Sequence, residues 1–329
     1  MMRLPRFRYV APRTIAEAVR AIADAGPGAA LLAGGTDLVP NMKRRQATPG
    51  TVVGLRGVAA LRERSGDARR GLTLGAMVRL ADVERDGAVA AAWRALPWAA
   101  STVATPPIRN AATIGGNLCL DTRCTYWDQS EPWREAIGYC LKKDGETCWV
   151  APGSPRCWAV CSSDTAPVLC AVGAEVTVAS TAGERRVPVA ALFADDGIRH
   201  LTLATGDVLT ALHLPPAGAG DRSAYLKVRR RASFDFPVLG IAAYARLGKG
   251  SVVEAVRLFV GGVGSRPQEA AEAVSFLAGR SLADEEVVRE AARLVAKVAK
   301  PLQNTDFESG WRKKMATEYA ARALRELAA

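Results

Sequence analysis

Two short apolar runs end in paired glycines: "LLAGGTDL" (31–38) and "ATIGGNLC" (112–119). A chain that runs from an apolar strand through Gly-Gly into a polar segment is held to strand–turn architecture. Such a turn lets the backbone approach a ligand and aim consecutive N–H groups at one anion. After the first turn a helix start is expected, with Thr36 and Asp37 as its caps and its unpaired N–H groups adding to the pull on a phosphate. The surrounding segments keep the same rhythm. "TIAEAVRAIADA" (14–25) reads as a helix, with Thr14 and Glu17 at capping-box spacing and Ile15, Val19 and Ile22 on one face. "TVVGLRGV" (51–58) reads as a strand, and "RGLTLGAMVRLADVE" (70–84) as a strand running into a helix. This alternation predicts layered helix and sheet.

The second half of the chain has its own pattern. "APVLCAVGAEVTVAS" (166–180) reads as an apolar strand with Cys170 as a small core residue, and "PPAGAGDR" (215–222) as a linker. Strands are expected at "SAYLKVRR", "VLGIAAYARL" and "VEAVRLFVGGV". Three helices should follow: one from Pro267 to Gly279, one capped by "SLADEE", and a last one with Trp311, Met315 and Tyr319 in step. The expected division is residues 1–56, residues 57–217 with an irregular insertion at about 120–162, and an α+β domain at residues 218–329.

The net charge of +11 suits a phosphate-bearing cofactor or an acidic partner. No helix-turn-helix, zinc-finger or RNP signature accompanies it, so nucleic acid is not the expected partner. Neither a signal-peptide core nor an apolar run of membrane-spanning length is visible, and the expected location is cytoplasmic.

Taken together, "AGGTDL", "TIGGN", "SDTAPVL", "LTALHLP" and "AYLKVRRRASFDF" resemble the FAD-binding subunits of the xanthine dehydrogenase family of molybdenum hydroxylases over nearly the whole chain. The resemblance implies an α+β protein: an FAD-binding fold of the vanillyl-alcohol-oxidase (PCMH) type in two α/β subdomains, plus a C-terminal domain of the CO dehydrogenase flavoprotein type. It implies that Leu31, Leu32, Ala33, Gly34, Gly35, Thr36, Asp37 and Leu38, with Thr113, Gly115, Gly116 and Asn117, wrap the FAD diphosphate. Asp164 should accept a hydrogen bond from the sugar-like part of FAD, and Lys227 should reach the flavin. Val103 and Leu209 should pack near the ring systems. The dinucleotide pattern G-x-G-x-x-G stands at neither turn, which speaks against a nicotinamide Rossmann domain.

Asn117 and Asp164 are 47 positions apart, where family members have a short link, and six of the seven cysteines fall in residues 119–161. Incidental packing, structural zinc and an iron–sulfur cluster are the competing uses. No C-x-x-C pair favours zinc, and wide spacings suit a loop folded around a cluster. Trp127, Trp133, Trp149 and Trp158 read either as a low-dielectric coat for such a centre or as a miniature core. "NLCLDTRC" and "YCLKKDG" are similar to the 4-hydroxybenzoyl-CoA reductase branch of the family, whose FAD subunits carry this insertion. That resemblance implies a [4Fe–4S] cluster on Cys124, Cys140, Cys148 and Cys157, with Cys161 as the competing thiol and Cys119 as a packing residue.

The same resemblance implies a place in an electron chain. Reduced ferredoxin feeds the [4Fe–4S] cluster, then FAD, then [2Fe–2S] centres in a small partner subunit. A molybdenum cofactor in a large partner subunit follows, within a dimer of heterotrimers. There 4-hydroxybenzoyl-CoA is dehydroxylated to benzoyl-CoA, so no catalytic residue is expected in this chain. A related hydroxylase acting oxidatively on another aromatic or heterocycle, and a zinc-stapled binding module that is not an enzyme, are the alternatives.

Overall fold

The computed structural model describes residues 3–329. The N-terminal part alternates β1 (Arg8–Val10), α1 (Ile15–Ala25), β2 (Ala29–Leu32), α2 (Leu38–Lys43) and β3 (Thr51–Gly54). The three strands form a parallel sheet in the order β1-β3-β2, as crossover connections require. The α1 cap is as the spacing predicts on one side only. The Glu17 N–H donates to Thr14 Oγ1 (3.1 Å), but the Glu17 carboxylate accepts from the Arg13 N–H (2.7 Å). Ala18, Val19 and Ile22 of α1 are buried against Val53 and, across the layers, Ala179 and Val208.

The middle part begins with β4 (Arg64–Asp67), β5 (Gly71–Gly75) and five short helices: α3 (Leu80–Arg85), α4 (Gly87–Ala92), α5 (Ala95–Ser101), α6 (Pro106–Arg109) and α7 (Ile114–Leu118). After α8 (Glu131–Ala136) come α9 (Thr165–Val172), β6 (Glu175–Ser180), β7 (Gly183–Pro188) and β8 (Val208–Leu214). The strands form an antiparallel sheet in the order β4-β5-β8-β6-β7. His213 of β8 sits between Thr73 (2.9 Å) and Thr177 (2.7 Å), bonding the three central strands side chain to side chain.

Residues 166–180 differ from expectation. Their first half is the helix α9, buried on every side, and only 175–180 form a strand. A helix enclosed all round shows no polar stripe, so its sequence is an unbroken apolar run that periodicity cannot tell from a buried strand. The glycines at 115–116 also differ, for they follow no strand and lie inside α7.

In the last part β9 (Asp221–Val228), β10 (Leu239–Leu247), β11 (Val253–Gly261) and β12 (Gln268–Glu269) form an antiparallel sheet in the order β12-β11-β10-β9. It is covered by α10 (Ala271–Leu277), α11 (Glu285–Val298) and α12 (Ser309–Ala328). Pro267 precedes β12 and does not open a helix. The buried face of α12 carries Arg312, Ala316, Ala320 and Leu324, whereas Trp311 is exposed, one position off the expected stripe. The buried Arg312 guanidinium donates to four oxygens, on Val238, Gly262, Leu302 and Asn304, at 2.6–3.1 Å. Burial without a carboxylate partner lowers its pKa to about 10.

This sheet is welded to the middle part through α9 and α5. Arg257 of β11 donates to the terminal α9 carbonyls of Ala171 (2.7 Å) and Val172 (3.2 Å), the end where a helix favours a cation. The Trp98 indole of α5 donates to the Tyr225 carbonyl of β9 (3.0 Å).

Candidate functional site

A cavity of about 780 Å³ opens between the three parts, within the roughly 300–1,000 Å³ span of small-molecule and cofactor sites. Its floor is the loop from β2 to α2. There Gly34 is obligatory, because an added Cβ would lie 2.0 Å from the Ala111 carbonyl oxygen. The N–H groups of Gly34, Gly35, Thr36 and Asp37 donate to no acceptor among the described residues, so this wall of the cavity is a row of oriented donors. The second turn is built otherwise. Gly115 donates to Ala76 O (2.9 Å), Gly116 to Thr113 Oγ1 (3.1 Å) and Asn117 to Thr113 O (2.9 Å), so its amides are already engaged. Gly115 lies so close to Ala76 that a Cβ would sit 2.7 Å from the alanine methyl.

Leu31, Ala33, Gly34, Gly35, Thr36, Asp37, Leu38, Val103, Thr113, Gly115, Gly116, Asn117, Asp164 and Leu209 all line the cavity. Leu32 and Lys227 are outside the lining. The expected caps of α2 are not formed. Asp37 stands at the cap position without a side-chain bond to the helix, and its carboxylate instead takes Arg123 (2.6 Å), the Asn41 amide (3.2 Å) and the Asp121 N–H (3.3 Å). Burial raises the Asp37 pKa, and Arg123 pulls against that. The Asn117 side-chain carbonyl is taken up by Ser163 (2.8 Å) and Thr165 (2.7 Å).

Lys227 does not project into the open space. Its ammonium donates to Asp164 (2.8 Å) and to the Thr102 carbonyl (2.9 Å), while the Tyr225 hydroxyl donates to the other Asp164 oxygen (2.7 Å). Burial raises the Asp164 pKa and lowers that of Lys227, each opposing the other's shift. Five carboxylates line the cavity, Asp37, Asp128, Asp164, Asp207 and Asp235. Each is paired with a cation: Arg123, Arg44, Lys227, Arg185 and Arg231 respectively. An anionic ligand therefore meets neutralised acids and free N–H donors. Apolar walls come from Ala76, Met77, Val103, Ile108, Leu201, Leu203 and Leu209, with the exposed Phe234 and Phe236 at the rim. This donor set fits a long cofactor with a diphosphate and a flat ring system.

The insertion folds beside this cavity. Arg123 and Val160 exchange backbone hydrogen bonds (2.7 and 3.1 Å) and close its neck. Asn304 ties it to the last domain through the Thr125 N–H (3.1 Å) and the Trp158 carbonyl (3.1 Å). Cys124, Cys140 and Cys157 share a small buried core with Trp127 and Ala159. The buried Cys148 thiol meets Cys157: the hydrogen bond between them lowers the Cys148 pKa and raises that of Cys157. The thiols of Cys140 and Cys148 lie within electrostatic reach of Cys124, whose pKa burial pushes up to about 11. Backbone N–H groups point at two of these sulfurs, Trp127 at Cys124 and Ala159 at Cys157, both at 3.4 Å.

Cys161 and Cys170 belong to the main core of the middle part, and Cys119 lines the cavity. The structure thus gathers the four cysteines chosen above and separates the other three. Among the described residues, no group of three or more His, Cys, Asp or Glu is arranged to hold a metal ion. Ligands of a four-iron cluster are spread over different irons, so they stand apart from one another. The donor set matches such a cluster in chemistry, four buried thiols with N–H groups aimed at sulfur, while Cys148 and Cys157, in hydrogen-bond contact here, must part to ligate separate irons. The tryptophans divide: Trp127 is buried in the nest, whereas Trp133 and Trp149 are exposed and form no coat.

Sequence reasoning missed Arg123, Asp121, Lys142 and Tyr225. Arg123 and Asp121 stand inside "NLCLDTRC" without a spacing that marks them, and Tyr225 reads as an ordinary strand residue.

Comparison with known proteins adds the family. Residues 5–217 match the FAD binding domain in molybdopterin dehydrogenase, and residues 223–327 match the CO dehydrogenase flavoprotein C-terminal domain. The chain is 32% identical over 279 residues to the aldehyde oxidoreductase FAD-binding subunit PaoB of Escherichia coli, covering 81% of this chain and 85% of that one. It is 27% identical over 322 residues to the carbon monoxide dehydrogenase medium chain of Hydrogenophaga pseudoflava, covering 97% and 96%. A solved structure of the Hydrogenophaga pseudoflava carbon monoxide dehydrogenase superposes with a TM-score of 0.81 at 25% identity, covering 99% of this chain and 98% of that one. Among the described residues no helix is long and apolar enough to cross a membrane. The chain belongs to the FAD-binding subunits of the xanthine dehydrogenase and CO dehydrogenase type of molybdenum hydroxylases.

Proposed function

We propose that this chain is the electron-transfer subunit of a 4-hydroxybenzoyl-CoA reductase type enzyme, holding FAD in the cavity and a [4Fe–4S] cluster in the cysteine nest. The observation that carries the reading is the pairing of a cavity walled by free N–H donors with four sequestered thiols beside it. When bound, FAD supplies electron transfer singly or in pairs. In this reading Gly34 to Asp37 hold the diphosphate, and Val103 and Leu209 pack against the rings. Asp164, oriented by Tyr225 and Lys227, accepts from the sugar-like chain. Lys227 acts through that carboxylate rather than by contact with the flavin. Cys124, Cys140, Cys148 and Cys157 hold the cluster as thiolates.

Relatives named as medium chains support a place beside a molybdenum-cofactor large subunit and a [2Fe–2S] small subunit, where the substrate chemistry lies. A ferredoxin donor belongs to this reading. Residues 120–162 carry six acidic and five basic side chains, so an electropositive docking face must lie outside the insertion. The rival reading, an oxidative hydroxylase, draws support from relatives named as aldehyde oxidoreductase and xanthine dehydrogenase subunits. Anaerobic purification of the complex, followed by assay with 4-hydroxybenzoyl-CoA and a low-potential reductant, separates the two. Benzoyl-CoA is the expected product. Turnover confined to oxidation of aldehydes or heterocycles overturns the reductase reading.

A further inference from the structure

One buried cation between the nest and the cavity has no part in the reading above. The Lys142 side chain is 6% exposed. Its ammonium donates to Asp121 (2.7 Å), to the Thr122 hydroxyl (2.5 Å) and to the Gly197 carbonyl (2.7 Å), a three-acceptor socket that fixes its position. It stands 5.4 Å from the centroid of the Trp127 ring, which shares the buried core of the nest with Cys140 and Cys157. On the cavity side, the Asp121 N–H bonds Asp37, and Asp37 pairs with Arg123. His200 also faces Asp121, with Nδ1 at 3.9 Å, and both its ring nitrogens are buried without a partner. Burial favours its neutral form, which leaves Lys142 as the cation of this socket.

We infer that Lys142 sets the reduction potential of the centre held by the four cysteines: its fixed ammonium favours the more negative, reduced state. This rests on the four-iron reading of the nest. Four thiolates around a cluster concentrate negative charge, and one further electron adds to it with no proton taken up. The potential of such a centre follows net charge, hydrogen bonding and exposure. A cation held in a dry socket acts on it far more strongly than a solvated one. The Asp121 carboxylate pulls the other way.

The test is an EPR-monitored redox titration with dithionite as the one-electron donor, on the anaerobically purified complex, beside iron counts for every variant. Lys142→Gln should weaken the reduction equilibrium roughly tenfold or more, which is a fall of about 59 mV for a one-electron couple. Lys142→Arg, which keeps the charge, should titrate close to the wild type, and Asp121→Asn should shift upward. Equal shifts in Lys142→Gln and Lys142→Arg, or none in Lys142→Gln with iron retained, would overturn the inference. Should Lys142→Gln lose its iron, Asp121→Asn decides: an upward shift supports the inference and an unmoved potential overturns it. A wild-type protein without iron removes the four-iron reading itself, and the Lys142 role falls with it.

Discussion

The cavity and the nest adjoin at Asp121 and Arg123 but are built from different materials. The polar face of the cavity that would meet a phosphate is made of backbone. Its donors are the amides of residues 34–37, and the cavity walls come from segments near 103–117, 164, 201–209 and 234–236. The nest is made of side chains from one stretch, residues 124–159, folded back on itself and pinned at its neck. A site built from backbone is sensitive to an added Cβ and tolerant of most side-chain exchange. A site built from thiols depends on each sulfur. The two should therefore fail independently.

The largest effect is expected from the sulfurs. Cys157→Ser should abolish iron binding while flavin absorption persists, read by iron analysis and the visible spectrum of the same sample. Cys161→Ser, in the main core, should keep its iron, and loss of iron there would transfer the ligand role to it.

Next comes the buried ion pair behind the cavity. Asp164→Asn leaves the Lys227 ammonium buried without its counter-ion, which should destabilise the fold by about 3–5 kcal/mol in urea unfolding of the apoprotein. An Asp164→Asn, Lys227→Met double variant should recover much of that loss. A simple sum of the single effects would show that the pair is not coupled.

Gly34→Ala should cost about 1–3 kcal/mol through the clash with the Ala111 carbonyl, and it should lower flavin occupancy while iron stays unchanged. Loss of both groups together would break the independence of the two sites.

How far these regions are legible in the sequence follows from the same difference. The loop of residues 31–38 is visible because glycine next to glycine after an apolar run has few other uses, and its free amides are a local property. The second turn misleads. "TIGGN" looks equivalent, yet a five-residue helix engages its amides: Gly116 and Asn117 bond locally to the cap residue Thr113, and Gly115 reaches Ala76 across the fold. The Cys124, Cys140, Cys148 and Cys157 set came from family resemblance. Cys161 and Cys170 stand apart from it in the main core, Cys170 on α9, whose apolar run reads equally well as a strand. Arg44 with Asp128 and Arg123 with Asp37 join positions more than 80 residues apart, beyond any local pattern.

The smallest effect concerns pH. Burial lowers the pKa of His213, in the sheet behind the cavity, as it does that of His200. The unfolded chain thus binds protons first, and the stability from neutral histidine is present above the unfolded value of 6.5. It should decline as pH falls below that value toward the folded one. His213→Gln should flatten the His213 share of that decline in unfolding curves recorded from pH 7 to pH 5, and an unchanged slope would count against it.

The central claim is that one chain holds two redox groups in two separately built sites. Iron, acid-labile sulfide and flavin counts on anaerobically purified wild-type protein test it most directly. The account predicts four irons on this chain for each flavin, beyond those of any [2Fe–2S] partner that co-purifies. One flavin with no iron on this chain would contradict it.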